Sequence, residues 1–336
     1  MEKKWFVGID VSKKTLDCAI LRLGSKETEA VCFQVQNDDS GFQTLCTRIK
    51  SRKISKSQLV MVMENTGMYC FELCCFLESS AIDYCVFNAL HVKLSFGLVR
   101  GKNDKIDAIR LACYARLHRE ELEYSHLASP VLIHLRGLMA ERKHYTAALT
   151  AIKNFQQAPK TKDCTSTNER ILEYRKFLEE KIRAVEQEMH DLIRQDTDFL
   201  KSYTLLVSIK GISLVNAVNT IVYTNNFTLF KNARKYACYI GIAPFEYTSG
   251  TSVRGKARVS KAGAKNLKSD LSMAARCAIT YDNEIKEYYQ RKRDEGKVFG
   301  VVLNAVKFKL VERMFAVVRR GTPFVDIYKY KSQTAC

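Results

Sequence analysis

The sequence predicts an α/β domain at the N-terminus, a helical coiled-coil middle and a mainly α-helical C-terminal domain. Three observations carry this. Short apolar runs at 5–10 and 59–63 each run straight into an acid, Asp10 or Glu64. Apolar residues at Ile171, Tyr174, Leu178, Ile182, Val185, Met189 and Leu192 step by three and four, close to a heptad seam. From about Lys268 to Val318 the pattern is helical almost throughout. At roughly 100–200 residues per domain, 336 residues suggest about two domains, with the coiled-coil region between them. The boundaries are drawn at 1–125, 126–200 and 201–336.

Taken in order, WFVGID at 5–10 is a buried strand, and LDCAIL at 16–21 is its hairpin partner across a polar turn. VCFQV at 31–35 is a third strand, followed by a helix from Gly41 to Ile49. LVMVM at 59–63, a helix from Met68 to Leu77, and YCVF at 84–87 continue the α/β alternation. A helix starts near Asp104 and ends near His118. Another runs from about Val131 to Ala158. Pro159 and the polar run after it separate that helix from the heptad helix, for which Ser166 or Thr167 is the expected cap. The seam has two candidate covers, a helix of the same chain or a second copy. Around Gly211, two helices flank a turn in the manner of a helix-hairpin-helix, which presents backbone amides to phosphate; an ordinary turn of the core fits nearly as well. The stretch 233–245 is apolar enough to be buried.

Charge narrows the function. Lys plus Arg is 54 and Asp plus Glu is 36, a net of +18. The excess is concentrated: residues 201–336 hold 24 basic and 9 acidic side chains, a net of +15. Such a distribution suits a polyanionic partner, because phosphates attract Lys and Arg whatever the base sequence. Arg254, Lys256, Arg258, Lys261, Lys265 and Lys268 form an acid-free basic run and are the candidate nucleic-acid contacts. No apolar run approaches the roughly 18–20 residues that span a bilayer, and the N-terminus has no signal-like apolar region. A cytoplasmic protein without membrane contacts is expected. The 12 cysteines are then expected to be reduced. Cys70, Cys74 and Cys75 cluster without a second ligand pair, so they are expected to be small buried side chains rather than zinc ligands.

Four carboxylates stand out by position. Asp10 and Glu64 end apolar strands, and Asp104 and Asp107, three apart, share one helix face. In a ribonuclease-H-like sheet, neighbouring strand ends bring an Asp and a Glu together and a following helix adds further acids. Such a set repels itself unless a hard divalent cation occupies it. Mg²⁺ is the expected cofactor, with Mn²⁺ as the alternative. A single acid is usually a solvated surface residue; Asp10 is the most informative of the four because it closes an apolar run. Ser249, between Thr248 and Gly250, is the candidate nucleophile. A serine hydroxyl needs its proton removed and the attacked phosphate neutralised. The basic run can supply the second, but no histidine is close in sequence to supply the first. On residues alone, a turn serine fits better.

GIDVSKKTLDCAIL at 8–21, VMENTGMY at 62–69, NDKIDAIRLA at 103–112 and the long motif at 241–268 together resemble the insertion sequence 110 family of DEDD-type transposases. The likeness runs from about Phe6 to about Phe324. It implies a RuvC-like (ribonuclease-H-like) N-terminal domain, a coiled-coil region and a C-terminal transposase domain. It further implies site-specific recombination of donor and target DNA, guided by a structured bridge RNA, in a homo-oligomer that is dimeric, or tetrameric when the DNA partners are paired. By motif position, Asp10, Glu64, Asp104 and Asp107 match the family's metal-binding acids, and Ser249 matches the serine that attacks DNA and holds a phosphoserine. A prokaryotic, nucleoid-associated location follows from the same likeness. Phe245 and Glu246 stand where many members carry basic residues, which bears on local DNA contacts. The competing readings are a RuvC-type junction nuclease that uses metal-activated water, an actin-like ATPase and a non-catalytic RNA-binding protein. The ATPase lacks a second glycine-rich phosphate loop, and the RNA-binding protein gives no reason for acids at strand ends.

Overall fold

A computed structural model describes residues 2–87, 92, 103–157, 165–249, 253–259 and 263–326. Contacts divide the chain into two units, Met1–Leu127 and Ala128–Cys336.

The first unit is built on a five-stranded sheet of order β3-β2-β1-β4-β5. Its strands are β1 (Trp5–Val11), β2 (Thr15–Arg22), β3 (Val31–Gln36), β4 (Leu59–Glu64) and β5 (Tyr84–Phe87). β1, β2 and β3 form an antiparallel meander, whereas β4 runs parallel to β1 and β5 parallel to β4. Helices α1 (Asp39–Lys50) and α2 (Phe71–Ser79) supply the crossovers that the parallel strands require. Both faces of the central strands are covered, so these strands are almost wholly apolar rather than alternating with polar residues. One face packs Val7, Ile9, Leu59, Met61 and Met63 against Phe42, Leu45, Leu73 and Leu77. The other packs Phe6, Val60 and Val62 against Leu111, Ala112 and Ala115 of α3 (Asp104–Leu117). Cys70 and Cys74 are buried in the first of these cores, as small apolar side chains would be.

Gly8 sets how closely α3 sits on the sheet. A Cβ at this position would lie 2.0 Å from the Ala108 carbonyl oxygen and 2.6 Å from the Ala112 nitrogen. Both atoms are helix backbone and cannot step aside. Gly8→Ala should therefore cost about 3 kcal/mol or more of stability, measured by urea unfolding, because α3 must lift off β1. An unchanged midpoint would show that the helix is not seated this tightly.

The second unit opens with a helical pair, α4 (Pro130–Gln157) and α5 (Thr165–Gln195). The pair continues into α6 (Thr197–Val207), α7 (Leu214–Thr224) and α8 (Ala233–Tyr239). An antiparallel hairpin of β6 (Pro244–Ser249) and β7 (Val253–Val259) follows. The unit closes with α9 (Lys265–Tyr281), α10 (Asn283–Asp294) and α11 (Phe299–Arg320). One core joins Leu132, Leu135, Val185 and Met189 of the pair to Ile221, Ala275, Val306 and Leu310. Residues 128–200 thus share a core with the C-terminal helices.

Two sequence expectations are revised here, and two open alternatives are narrowed. The heptad helix already begins at Thr165, so Ser166 and Thr167 lie in its first turn and not at its cap. Its seam is covered in part from within the chain: α4 packs along α5, and Ile171, Leu178, Val185 and Met189 are buried, whereas Tyr174 is 48% exposed. Polar replacement of Leu178 or Val185 should then lower the melting temperature without lowering the mass measured by light scattering. The turn at Gly211 faces the core. Its φ of +93° and its approach to the Ala274 carbonyl, 2.6 Å from where a Cβ would stand, account for the glycine without a phosphate. Finally, the mainly helical C-terminal part contains a β-hairpin that composition did not announce.

Candidate active site

Strand alternation places the first two acids. Along β1, Phe6, Gly8 and Asp10 point to the face that α3 covers, and along β4 so do Val60, Val62 and Glu64. The parallel register pairs Ile9 with Met63, so Asp10 and Glu64 stand side by side one residue further on, at adjacent strand ends. Neither is fully buried.

The other two acids come from the first turn of α3. Asn103 caps this helix, its side-chain oxygen accepting from the Lys105 amide at 3.0 Å. Carboxylates in a first helical turn are favoured by the helix dipole. Asp104 is exposed. Asp107 is half-buried and accepts from the Arg110 guanidinium at 2.7 Å. Because Gly8 lets α3 lie flat on β1, this turn reaches the end of the strand that carries Asp10.

The other three acids act electrostatically on Asp10. Burial raises the Asp10 acid, and the charges of Asp104, Asp107, Glu64 and Asp17 add to it, bringing it from 3.8 to about 6. Asp17 is the acid that sequence reasoning passed over. It lies directly across the hairpin from Asp10, with Val11 paired to Leu16 beside it, and it accepts from the Gln34 amide at 2.9 Å. The hairpin register alone could have found it: a two-residue turn at 13–14, with the Ser12 amide donating to the Thr15 carbonyl, puts position 17 opposite position 10. Like charges facing each other across a strand pair are destabilising, so this pair needs a reason.

The donor set is all carboxylate oxygen, which suits a hard divalent cation. Among the described residues, however, no three His, Cys, Asp or Glu side chains are close enough to enclose an ion. Asp10, Glu64, Asp104 and Asp107 are the residues that would hold one, and Asp107 would have to exchange Arg110 for it.

In the second unit, Ser249 is the last residue of β6, paired with Val253, so it belongs to a strand end and not to an irregular loop. Gly250 and Ser252 lie outside the described residues, as does Lys261. Arg254, Lys256 and Arg258 lie along β7. Lys265 is exposed at the start of α9, whereas Lys268 donates its ammonium to the Gly241 carbonyl at 2.9 Å.

Two family models match this chain. One, described as "Transposase" and named for the DEDD acids of IS110, covers residues 7–158; the other, "Transposase IS116/IS110/IS902 family", covers residues 203–290. The chain belongs to the IS110 family of transposases. The first match contains all four acids and the second contains Ser249. The transposase is 26% identical to the "Pilin gene-inverting protein" of Moraxella bovis over 96% of this chain and 98% of that one. The protein of the same name from Moraxella lacunata matches to the same extent. An IS110 insertion-element protein of Streptomyces coelicolor is 28% identical over 42% of this chain and 35% of its own length. These matches mark the chain as an enzyme of DNA transposition and recombination, and its DEDD-type domain suggests use of a divalent metal. No helix among the described residues is long and apolar enough to cross a membrane.

Proposed function

We propose that this transposase is a bridge-RNA-guided, site-specific DNA recombinase that transfers strands through a phosphoserine at Ser249, with divalent-cation assistance from Asp10, Glu64, Asp104 and Asp107. The observation that supports the metal-assisted part is the placement of Asp10 and Glu64 at adjacent strand ends on the face covered by α3, whose first turn carries Asp104 and Asp107, with the Asp10 acid raised to about 6 by burial and by those neighbours. So much like charge at one sheet end is costly unless it serves a cation. A bound Mg²⁺ would supply charge stabilisation at the reacting phosphate.

The chain's own residues would divide the work as follows. Asp10 and Glu64, fixed on rigid strands, set the position of the centre. Asp104 and Asp107, on the first turn of α3, complete the oxygen donors. The Ser249 hydroxyl attacks phosphorus and displaces a DNA oxygen, so one phosphodiester is exchanged for a phosphoserine diester. Arg254, Lys256, Arg258, Lys261 and Lys265 hold the strand by its phosphates. Gene inversion, the activity in the name of the Moraxella relatives, acts on DNA, and it motivates DNA on both sides of the reaction. Base sequence would be chosen by the guide RNA, and the active form would be a homo-oligomer.

The test is incubation with guide RNA, labelled donor DNA and target DNA, with and without chelator. Cation-dependent cleavage that each of Asp10→Ala, Glu64→Ala, Asp104→Ala and Asp107→Ala abolishes, with DNA binding retained, is the expected result. Full cleavage by Asp10→Ala would refute the acid assignment.

A further inference from the structure

Lys307, on α11, is 6% exposed, and it forms no ion pair among the described residues. A buried ammonium ordinarily needs a carboxylate or carbonyl partner to offset its lost hydration. Here the charged groups that act on it are cations, Lys268 and Arg276 of α9. Burial, reinforced by these two charges, pushes its ammonium below the usual lysine range.

The arrangement is built from helix periodicity. Lys268, Ser272 and Arg276 step by four along one face of α9, and Asn304 and Lys307 step by three along α11, which packs against α9. The cluster is tied to the chain just before β6. Lys268 donates to the Gly241 carbonyl, and the Asn304 amide donates to the Ile242 carbonyl at 2.6 Å. Arg276 is exposed, its guanidinium lying over the Phe299 ring at 5.9 Å. Lys268 and Arg276 thus act on Lys307 across two packed helices, near the chain that enters β6, and no acid among the described residues offsets them there. The sequence basic run ended at Lys268 and missed both Arg276 and Lys307.

We propose that Lys307, Lys268 and Arg276 form a phosphate-binding site that holds the backbone of the DNA strand engaged by the β6–β7 hairpin. An anion with diffuse negative charge relieves the repulsion among the three cations and gives the Lys307 ammonium its missing partner. That the anion is a DNA phosphate rests on the proposed function above; the need for an anion does not.

The experiment compares the full-length protein with Lys307→Met, Lys307→Arg and Arg276→Gln. Fluorescence anisotropy with a labelled DNA duplex, and with an RNA of equal length, is followed from low to moderate salt, alongside thermal melting. Lys307→Met removes the charge but keeps the packed stem, so it should melt no lower than the parent. Its DNA affinity should fall about tenfold, and the salt dependence should become shallower by about one unit. Lys307→Arg should recover most of both, and Arg276→Gln should reproduce the loss. Unchanged DNA affinity and slope in Lys307→Met and Arg276→Gln would overturn the site. So would failure of Lys307→Met to fold together with an unchanged slope in Arg276→Gln. A loss confined to RNA would overturn the assignment to DNA. A shallower slope in a protein that never forms a covalent adduct would refute phosphoserine strand transfer and retain this site; adduct formation with an unchanged slope would do the reverse.

Discussion

Ser249→Ala is expected to abolish the covalent protein–DNA adduct and to lower strand exchange on the order of 10³-fold or more, as loss of a nucleophile does. The substitution removes one oxygen from the end of β6, where the backbone is already fixed by pairing with Val253. DNA and guide-RNA affinity should therefore stay within about twofold, since phosphate contacts dominate them. Ser252→Ala should be milder, because that serine does not occupy the matching motif position. A carboxylate-held cation can serve water as well as serine, so the adduct separates the two chemistries. If Ser249→Ala still cleaves DNA when metal is present, water is the nucleophile and the enzyme works as a RuvC-type nuclease.

Asp10→Asn should lose cleavage and gain stability at neutral pH. The sign follows from the raised acid. With a folded value of about 6 against an ordinary 3.8, Asp10 binds more protons folded than unfolded. Wild-type stability therefore falls as pH rises from about 4 to about 6 and stays lower above that. Asn carries no charge and removes this slope. Because Asp10 is only half-buried, the gain at pH 7 is on the order of 1 kcal/mol, a rise of about 2–4 °C in Tm. Thermal melts of both proteins from pH 4 to 7 decide the matter. Curves that stay parallel across that range would show that Asp10 is not under electrostatic strain.

Much of the first unit was legible because its strands obey simple rules. Apolar runs bounded by turn residues gave β1, β2, β4 and β5 to within a residue or two, and the acids that break those runs marked the sheet end. Asp104 and Asp107 were legible as a pair because three residues along a helix return to the same face. What placed them beside Asp10 was Gly8, whose lack of a side chain lets α3 settle on β1; no local pattern signals that contact. Asp17 was hidden by its ordinary place in a hairpin strand. In the second unit, the heptad spacing announced a buried seam but not which surface covers it, since α4 and a second copy would leave the same periodicity. The β6–β7 hairpin was missed because β6 opens on a proline and β7 alternates basic residues with small ones rather than apolar with polar. Lys307 lay within a helix whose other buried positions are apolar, and a lone lysine on such a face ordinarily turns its charge outward.

The claim that bears most weight is that the four acids form a divalent-cation site. Isothermal titration of the full-length protein with Mg²⁺ at pH 6, in buffers of different ionisation enthalpy, tests it without reference to cleavage. Asp10 is about half protonated at that pH, so cation binding must expel its proton. Binding should release about half a proton per site, and less as pH is raised to 7 and beyond. Asp10→Asn should bind weakly and release none. Mg²⁺ uptake by Asp10→Asn equal to the wild type, with the same proton release, would contradict the site.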